Sequence, residues 1–362
     1  MGELAKGAAD ILRARIAERG PISFSEFVEI ALYDPEWGYY SRVAVGRDFV
    51  TSPRTSPAFG HLLGRFVADA WHALDRPNPF FVAEFAAGDG TLGADILAWL
   101  SAREPGCAAA TRYLAVDRQA VSDASGPLFR VRGDAAHPPT NPFDGVVLSN
   151  ELFDALPFDR IVSTELGLRQ TMVDCLGRDL VSRVGPAVTD AILRHFNALA
   201  IRPSIGQLLD VSVVAPQVYR ALARSLRRGF IVTIDYGAEA TDLYGSRHFA
   251  GTARGYSRHA AVDDLLVRPG EQDLTSHVDF TTLRRVGEEA GAQTVWSGAQ
   301  ADFLRALDLA KWIERLDPRH LSHVDYHNAR FGALELVNPS GTGRFRVLVQ
   351  SRGAPGRLDR LV

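Results

Sequence analysis

The stretch from Phe80 to Thr91 constrains this chain more than any other. An apolar run, Phe80–Phe85, carries Glu84 near its end, turns through Gly88-Asp89-Gly90 and enters a helical pattern reaching about Ala102. Short apolar runs bounded by glycine read as strands buried on both faces. Glycines after such a strand reach positive φ and let a ligand approach the backbone. The helix start then offers N–H groups to a polar or anionic ligand group.

The pattern repeats. Tyr113–Val116, Leu128–Val131, Gly145–Leu148 and Phe230–Ile234 are further apolar runs, and the spacing predicts helices over about 216–226 and 280–290. Strands at Gln293–Trp296 and Phe345–Gln350 flank a block of helices over about 299–331. Strands alternating with helices indicate βαβ units and a Rossmann-like, mostly parallel α/β sheet. The alternation lapses over about 155–212 and 238–278; these two stretches, with the block at 299–331, read as insertions into a domain over 79–352. Residues 1–78 read as a helical N-terminal extension, with helices over 3–19, from Ser23 to about Leu32, and after Pro57. Ser23 followed by Glu26 has the form of a capping box.

Composition narrows the function classes. The formal net charge of −3 gives no general attraction to nucleic acid or anionic lipid, so no nucleic-acid partner is expected. Cys107 and Cys175 are too few for a disulfide framework or a Cys-rich metal site. His259 and His277 show no metal-ligand spacing, and no metal is expected. No apolar run reaches the ~18 residues of a membrane span. The N-terminal stretch carries Glu3, Asp10 and Glu18, unlike an acid-poor transit peptide. The expectation is a cytoplasmic protein without membrane insertion.

The candidate site residues lie where these strands end. The Gly88–Gly90 loop suits a dinucleotide or S-adenosylmethionine. The G-x-G-x-x-G spacing of dinucleotide sites is missing, and Glu84 with Ala86-x-Gly88-x-Gly90 matches the E-x-G-x-G-x-G pattern of methyltransferases in part. Glu84, Gly88, Asp89 and Gly90 are therefore cofactor-binding candidates. Asp117 follows the second strand, where an acid accepts hydrogen bonds from both ribose hydroxyls of an adenosine ligand. Asp134, after the third strand, is placed to read the adenine amino group. The fourth strand delivers Asn150, Glu151 and Asp154 to the edge where ligands of open α/β sheets bind. Asn150 would face the donor; Glu151 and Asp154 suit a cationic acceptor such as a guanidinium, held by paired hydrogen bonds and relieved of its proton. Asp235 ends the fifth strand on the same edge. The second lapse adds Glu271, Asp273 and His277, a dense set of titratable groups in a loop region.

Together these residues resemble a family of S-adenosylmethionine-dependent methyltransferases that includes the mitochondrial complex I assembly arginine methyltransferase. The resemblance is carried by Tyr33-Asp34-Pro35, Gly38-Tyr39-Tyr40, Asp48 to Pro53 and Phe59-Gly60. Further matches are the Glu84–Leu92 loop, Asn150 to Pro157, Asp235-Tyr236-Gly237, Arg254-Gly255-Tyr256 with His259, and Pro269 to Phe280. It implies a class I methyltransferase fold with a helical N-terminal extension, S-adenosylmethionine as cofactor, and a protein arginine as acceptor. Donor-site roles fall by this resemblance on Glu84, Gly88, Gly90, Asp117, Asn150 and Glu151. Three positions depart from the pattern. Ala86 stands for the first loop glycine, Arg54 for the glutamate after Thr-Ser-Pro, and Asp117 where glutamate is more frequent. The competing readings are a methyltransferase for a small molecule or another side chain, a donor-binding assembly factor without turnover, and a nicotinamide-dependent oxidoreductase. The glycine spacing argues against the last.

Overall fold

The computed structural model describes residues 7–43, 51–120, 123, 126–258, 260–319 and 321–361. Asp48, Phe49, Val50 and His259 of the sequence motifs lie outside the described residues. Contacts divide the chain into two units: Met1–Phe49, Phe153–Pro216 and Gly237–Thr282 form one, and Val50–Leu152, Gln217–Tyr236 and Leu283–Val362 the other. This division runs across the boundary read at residue 78.

The second unit is built on a seven-stranded sheet. Its strands are β1 (Phe80–Phe85), β2 (Thr111–Asp117), β3 (Leu128–Arg132), β4 (Phe143–Asn150), β5 (Leu226–Asp235), β6 (Ala292–Ala299) and β7 (Arg346–Arg352). They lie in the order β6-β7-β5-β4-β1-β2-β3. The five from β5 to β3 are parallel, whereas β7 runs antiparallel to both β5 and β6. The sheet is therefore mixed. The chain builds outward from β1 through β2 to β3, then returns to place β4 and β5 on the other side. That reversal makes a switch point between β1 and β4, where ligands of such sheets bind.

Both faces of this sheet are covered, which explains the unbroken apolar runs. Val82, Tyr113, Val146, Phe230 and Val349 are fully buried with residues of the helix Pro57–Ala73. That helix begins as its sequence requires: Pro57 occupies the first turn and Ser56 Oγ accepts from Ala58 N at 3.2 Å. Gly60 and Gly64 face the helix Thr91–Arg103; a Cβ at Gly60 would lie 2.4 Å from Asp95 Cβ, and one at Gly64 3.2 Å from Ile96 O. The order of these contacts makes the two helices parallel, with their N-termini at one end.

The other unit is where the expected insertions gain structure. The first lapse holds antiparallel strands Asp159–Thr164, Gly167–Leu176, Asp179–Ala187 and Leu208–Val211 with a helix at Asp190–Leu199. Gly167–Leu176 also pairs with the short strand Ile22–Ser23, so the N-terminal residues are not purely helical. In the second lapse, Arg254–Ser257 pairs with Ala260–Val262 and with Asp273–Thr275. Ser23 caps the helix Phe24–Tyr33 by accepting from Glu26 N at 3.0 Å. The Glu26 carboxylate pairs with Arg15 at 2.9 Å, so this ion pair takes up the side chain that the capping box would use. Phe24, Phe27 and Phe158 anchor one core of this unit, and Ile161, Phe196 and Leu209 another. No helix among the described residues is long and apolar enough to cross a membrane.

Candidate active site

The ends of β1, β2 and β4 are neighbours, so the parallel register brings Glu84, Asp117 and Asn150 to one edge. The loop after β1 is wound left-handed: φ is +58° at Ala86, +55° at Gly88 and +83° at Gly90. Ala86 thus adopts the conformation a glycine takes without penalty, at a cost of about 1–2 kcal/mol. The loop is fastened by Gly90 N to Ala87 O at 2.9 Å and Ala87 N to Val116 O at 3.2 Å. Gly88 N donates to Asp117 Oδ2 at 3.0 Å, and Gln119 N donates to Oδ1 at 2.9 Å. Asp117 therefore braces the glycine loop from the adjacent strand.

Glu84 is 3% exposed, and Tyr113 Oη donates to its Oε2 at 2.7 Å. Burial pushes its carboxyl up to about 8, opposed by the Tyr113 hydrogen bond and assisted by the charges of Asp117 and Asp89. Glu84 is consequently largely protonated at neutral pH. Tyr113 was not singled out in the sequence, although it is a hydroxyl within an otherwise apolar strand. Gly93 makes room for its ring, since a Cβ there would lie 2.6 Å from Tyr113 Cε1.

Asp89 is exposed and tied on both sides. Its Oδ1 accepts from Thr91 N at 3.1 Å and Thr91 Oγ1 at 2.7 Å, and its Oδ2 from Arg54 Nη2 at 2.6 Å. Burial opposes ionisation, but the Thr91 and Arg54 hydrogen bonds prevail and hold its carboxyl below the usual range. Asp134 pairs with Arg118 at 2.8 Å and accepts from Ala136 N at 2.9 Å.

At the end of β4, Glu151 has φ +53°, imposed as its N–H donates to Ile234 O at 3.0 Å. A glutamate held there is strained by about 1–3 kcal/mol, a condition that concentrates at functional sites. Asn150 Nδ2 donates to Glu151 Oε1 at 3.0 Å, while Asn150 Oδ1 is buried without a partner among the described residues. Asp235, fully buried, accepts from Leu152 N at 3.1 Å and Tyr236 N at 2.8 Å. It clamps the turn that follows Glu151.

The remaining candidates belong to the antiparallel unit. Asp273 is fully buried and accepts from Tyr40 Oη at 2.9 Å. Burial raises the Tyr40 hydroxyl well above its ordinary value, as do the charges of Asp273 and Asp154 and the neighbouring Tyr33, so both carboxylates lie near one phenol. Asp154 O accepts from Ser276 N at 2.9 Å, and Ala155 O from Tyr33 Oη at 2.8 Å. Glu271, by contrast, is exposed. His277 stacks edge-on with His248, and its N–H donates to Thr252 Oγ1 at 3.3 Å.

Residues 62–298 match the model of the S-adenosyl-L-methionine-dependent methyltransferase family numbered 28, and the chain belongs to that family. It is similar to the mitochondrial protein arginine methyltransferase NDUFAF7 homolog of Drosophila melanogaster, 28% identical over 99% of this chain and 87% of that protein. The human mitochondrial protein arginine methyltransferase NDUFAF7 is also 28% identical, over 76% of this chain and 68% of its own length. A crystal structure of a Burkholderia thailandensis protein bound to S-adenosyl-homocysteine is 29% identical, with a TM-score of 0.84, covering 98% of this chain and 94% of that one. The chain is an S-adenosylmethionine-dependent methyltransferase. The cytoplasmic expectation is overturned by the same comparisons: these curated relatives are mitochondrial proteins. An acidic N-terminal stretch was the wrong guide to compartment.

Proposed function

We propose that this methyltransferase acts on a protein arginine, with Glu151 as the general base. The observation that carries the reading is Glu151 itself, a carboxylate strained to φ +53° at the switch point and oriented by Asn150 Nδ2. The relatives named as protein arginine methyltransferases support the choice of acceptor. In this reading the left-handed Gly88 and Gly90 give the donor close access to the backbone, and Asp117 takes the ribose. Asn150 Oδ1, buried and without a partner, turns to the donor's amino group. Glu84 and Asp89 shape the loop from either side, and Asp134 is assigned to the adenine edge. Asp154, Glu271, Asp273 and His277, all in the antiparallel unit, are proposed as residues that recognise the acceptor protein. The finer architecture is that of a class I methyltransferase with N-terminal helices and inserted segments.

Bound S-adenosylmethionine supplies a methyl group activated by its positive sulfur. Asn150 and Glu151 then do the protein's share. A guanidinium nitrogen is a poor nucleophile until a carboxylate orients it and accepts its proton. Glu151 does both from a fixed backbone. The test is labelled-methyl transfer into a lysate, with donor affinity measured in parallel. Glu151→Gln is expected to keep donor affinity within a few-fold and to cut transfer by ~10²-fold, the usual scale of a general base. Label in a small molecule, or in nothing, would refute the arginine assignment. Donor affinity falling in step with activity would move Glu151 into the cofactor site.

A further inference from the structure

We propose that Arg54 is a positioning residue of the donor site, holding Asp89 out of the way of the anionic end of S-adenosylmethionine. The inference rests on the donor-site reading given above. Arg54 belongs to the short helix Ser52–Thr55, whose backbone is anchored on several sides. Ser52 is fully buried and its Oγ bonds Gln300 Oε1 at 3.3 Å, while Gln300 Nε2 donates to Leu336 O at 3.0 Å. Gly332 leaves so little room beside Thr55 that a Cβ would lie 2.4 Å from its carbonyl oxygen. Arg54 therefore extends from a fixed base and reaches Asp89 at 2.6 Å.

The glycine contacts between the two helices set where that reach ends. Gly60 and Gly64 bring the helix Pro57–Ala73 close beside Thr91–Arg103 in a parallel sense. The positive ends of both helices, with the Arg54 guanidinium, then converge on the Gly88–Gly90 loop. The Asp89 carboxylate is the charge that works against an anionic ligand there. Arg54 neutralises it and, with Thr91, turns it into a cap for the donor helix. An exposed ion pair of this kind adds little to stability. Its effect falls on what the loop can bind.

S-adenosyl-homocysteine carries a carboxylate at its amino-acid end; methylthioadenosine shares the adenosine half and lacks that end. Calorimetric titration of both with Arg54→Ala, Arg54→Lys and Arg54→Glu separates the two halves. Arg54→Ala is expected to weaken S-adenosyl-homocysteine about fivefold and Arg54→Glu more, with Arg54→Lys within about twofold of the native protein. Methylthioadenosine should bind all of them alike. In steady state the loss should appear in the donor KM with kcat held, and Asp89→Asn on top of Arg54→Ala should restore most of the lost affinity, because the carboxylate that Arg54 neutralises is then gone. Unchanged S-adenosyl-homocysteine affinity in Arg54→Ala and Arg54→Glu, while Gly88→Val abolishes binding, would overturn the role of Arg54 alone. Equal losses for both ligands would overturn it too. Normal binding by Gly88→Val would remove the donor-site reading and this proposal with it.

Discussion

Ala200 in the antiparallel unit and Glu151 in the parallel one hold nearly the same left-handed backbone, φ +54° and +53°, in different settings. In the antiparallel unit polar side chains brace the backbone: Asp210 accepts from Thr252 N at 2.6 Å and Ala253 N at 2.7 Å, and faces Arg160 at 3.2 Å. His195 lies 3.1 Å from Tyr244 Oη and 3.5 Å from Asp279, and Gln272 Nε2 holds the carbonyls of Leu265 and Val267. Its left-handed Ala200 has an architectural purpose, ending the helix Asp190–Leu199. In the parallel unit three left-handed residues, Ala86, Gly88 and Glu151, follow strands on the edge where ligands of such sheets bind. A left-handed residue that ends a helix serves architecture; one held after a parallel strand at the switch point stands where strain and function concentrate.

Substitutions can break or sharpen this contrast. The largest effect is expected from Gly88→Val, which puts a β-branched side chain at φ +55° where backbone and donor must meet. Donor binding should vanish from calorimetry while the circular dichroism spectrum is retained. Asp273→Asn, in the other unit, is the control, and an equal loss there would erase the distinction.

The second effect concerns pH. The Glu84 carboxyl moves from an ordinary 4.5 to about 8 on folding, so the folded chain binds the extra proton between those values. The associated stability is fully present below 4.5 and is lost as pH rises through about 8. The gap sets a ceiling on the order of 5 kcal/mol. Denaturant titrations of Glu84→Gln should lack that decline, and a parallel decline in both proteins would place the titrating group elsewhere. The smallest effect is Asp117→Ala, which removes the acceptor for Gly88 N and the proposed ribose contact; donor affinity should fall about tenfold. No change would mean that another acid holds the ribose.

The legibility of the chain follows the same division. Phe80–Phe85 is covered on both faces, so its residues are apolar apart from Glu84 and its bounds could be read directly. Gly167–Leu176 mixes Arg169, Gln170 and Asp174 with Leu168, Met172 and Val173, because most of it is only half-buried. It contains no helical neighbour to mark it, and it read as a lapse. The direction of β6 and β7 was likewise hidden, since an apolar strand looks the same run either way. Among the proposed site residues, Glu84, Asp117, Asn150 and Glu151 could be placed at or beside strand ends from the sequence. Tyr113 and Arg54 act through partners distant in sequence, 29 and 35 positions away. Only the folded chain pairs them. Asp235 ends its strand on the expected edge, and its carboxylate clamps the Leu152 turn.

The strand order has a consequence for synthesis. β7 lies between β5 and β6, yet it is the last of the seven to leave the ribosome. Until residues 346–352 emerge, β5 has an open edge and β6 has no partner in the sheet. An apolar strand edge left open for that interval is a template for pairing with another chain. The nascent protein therefore carries an exposure to misassembly late in translation, long after the Gly88–Gly90 loop is made.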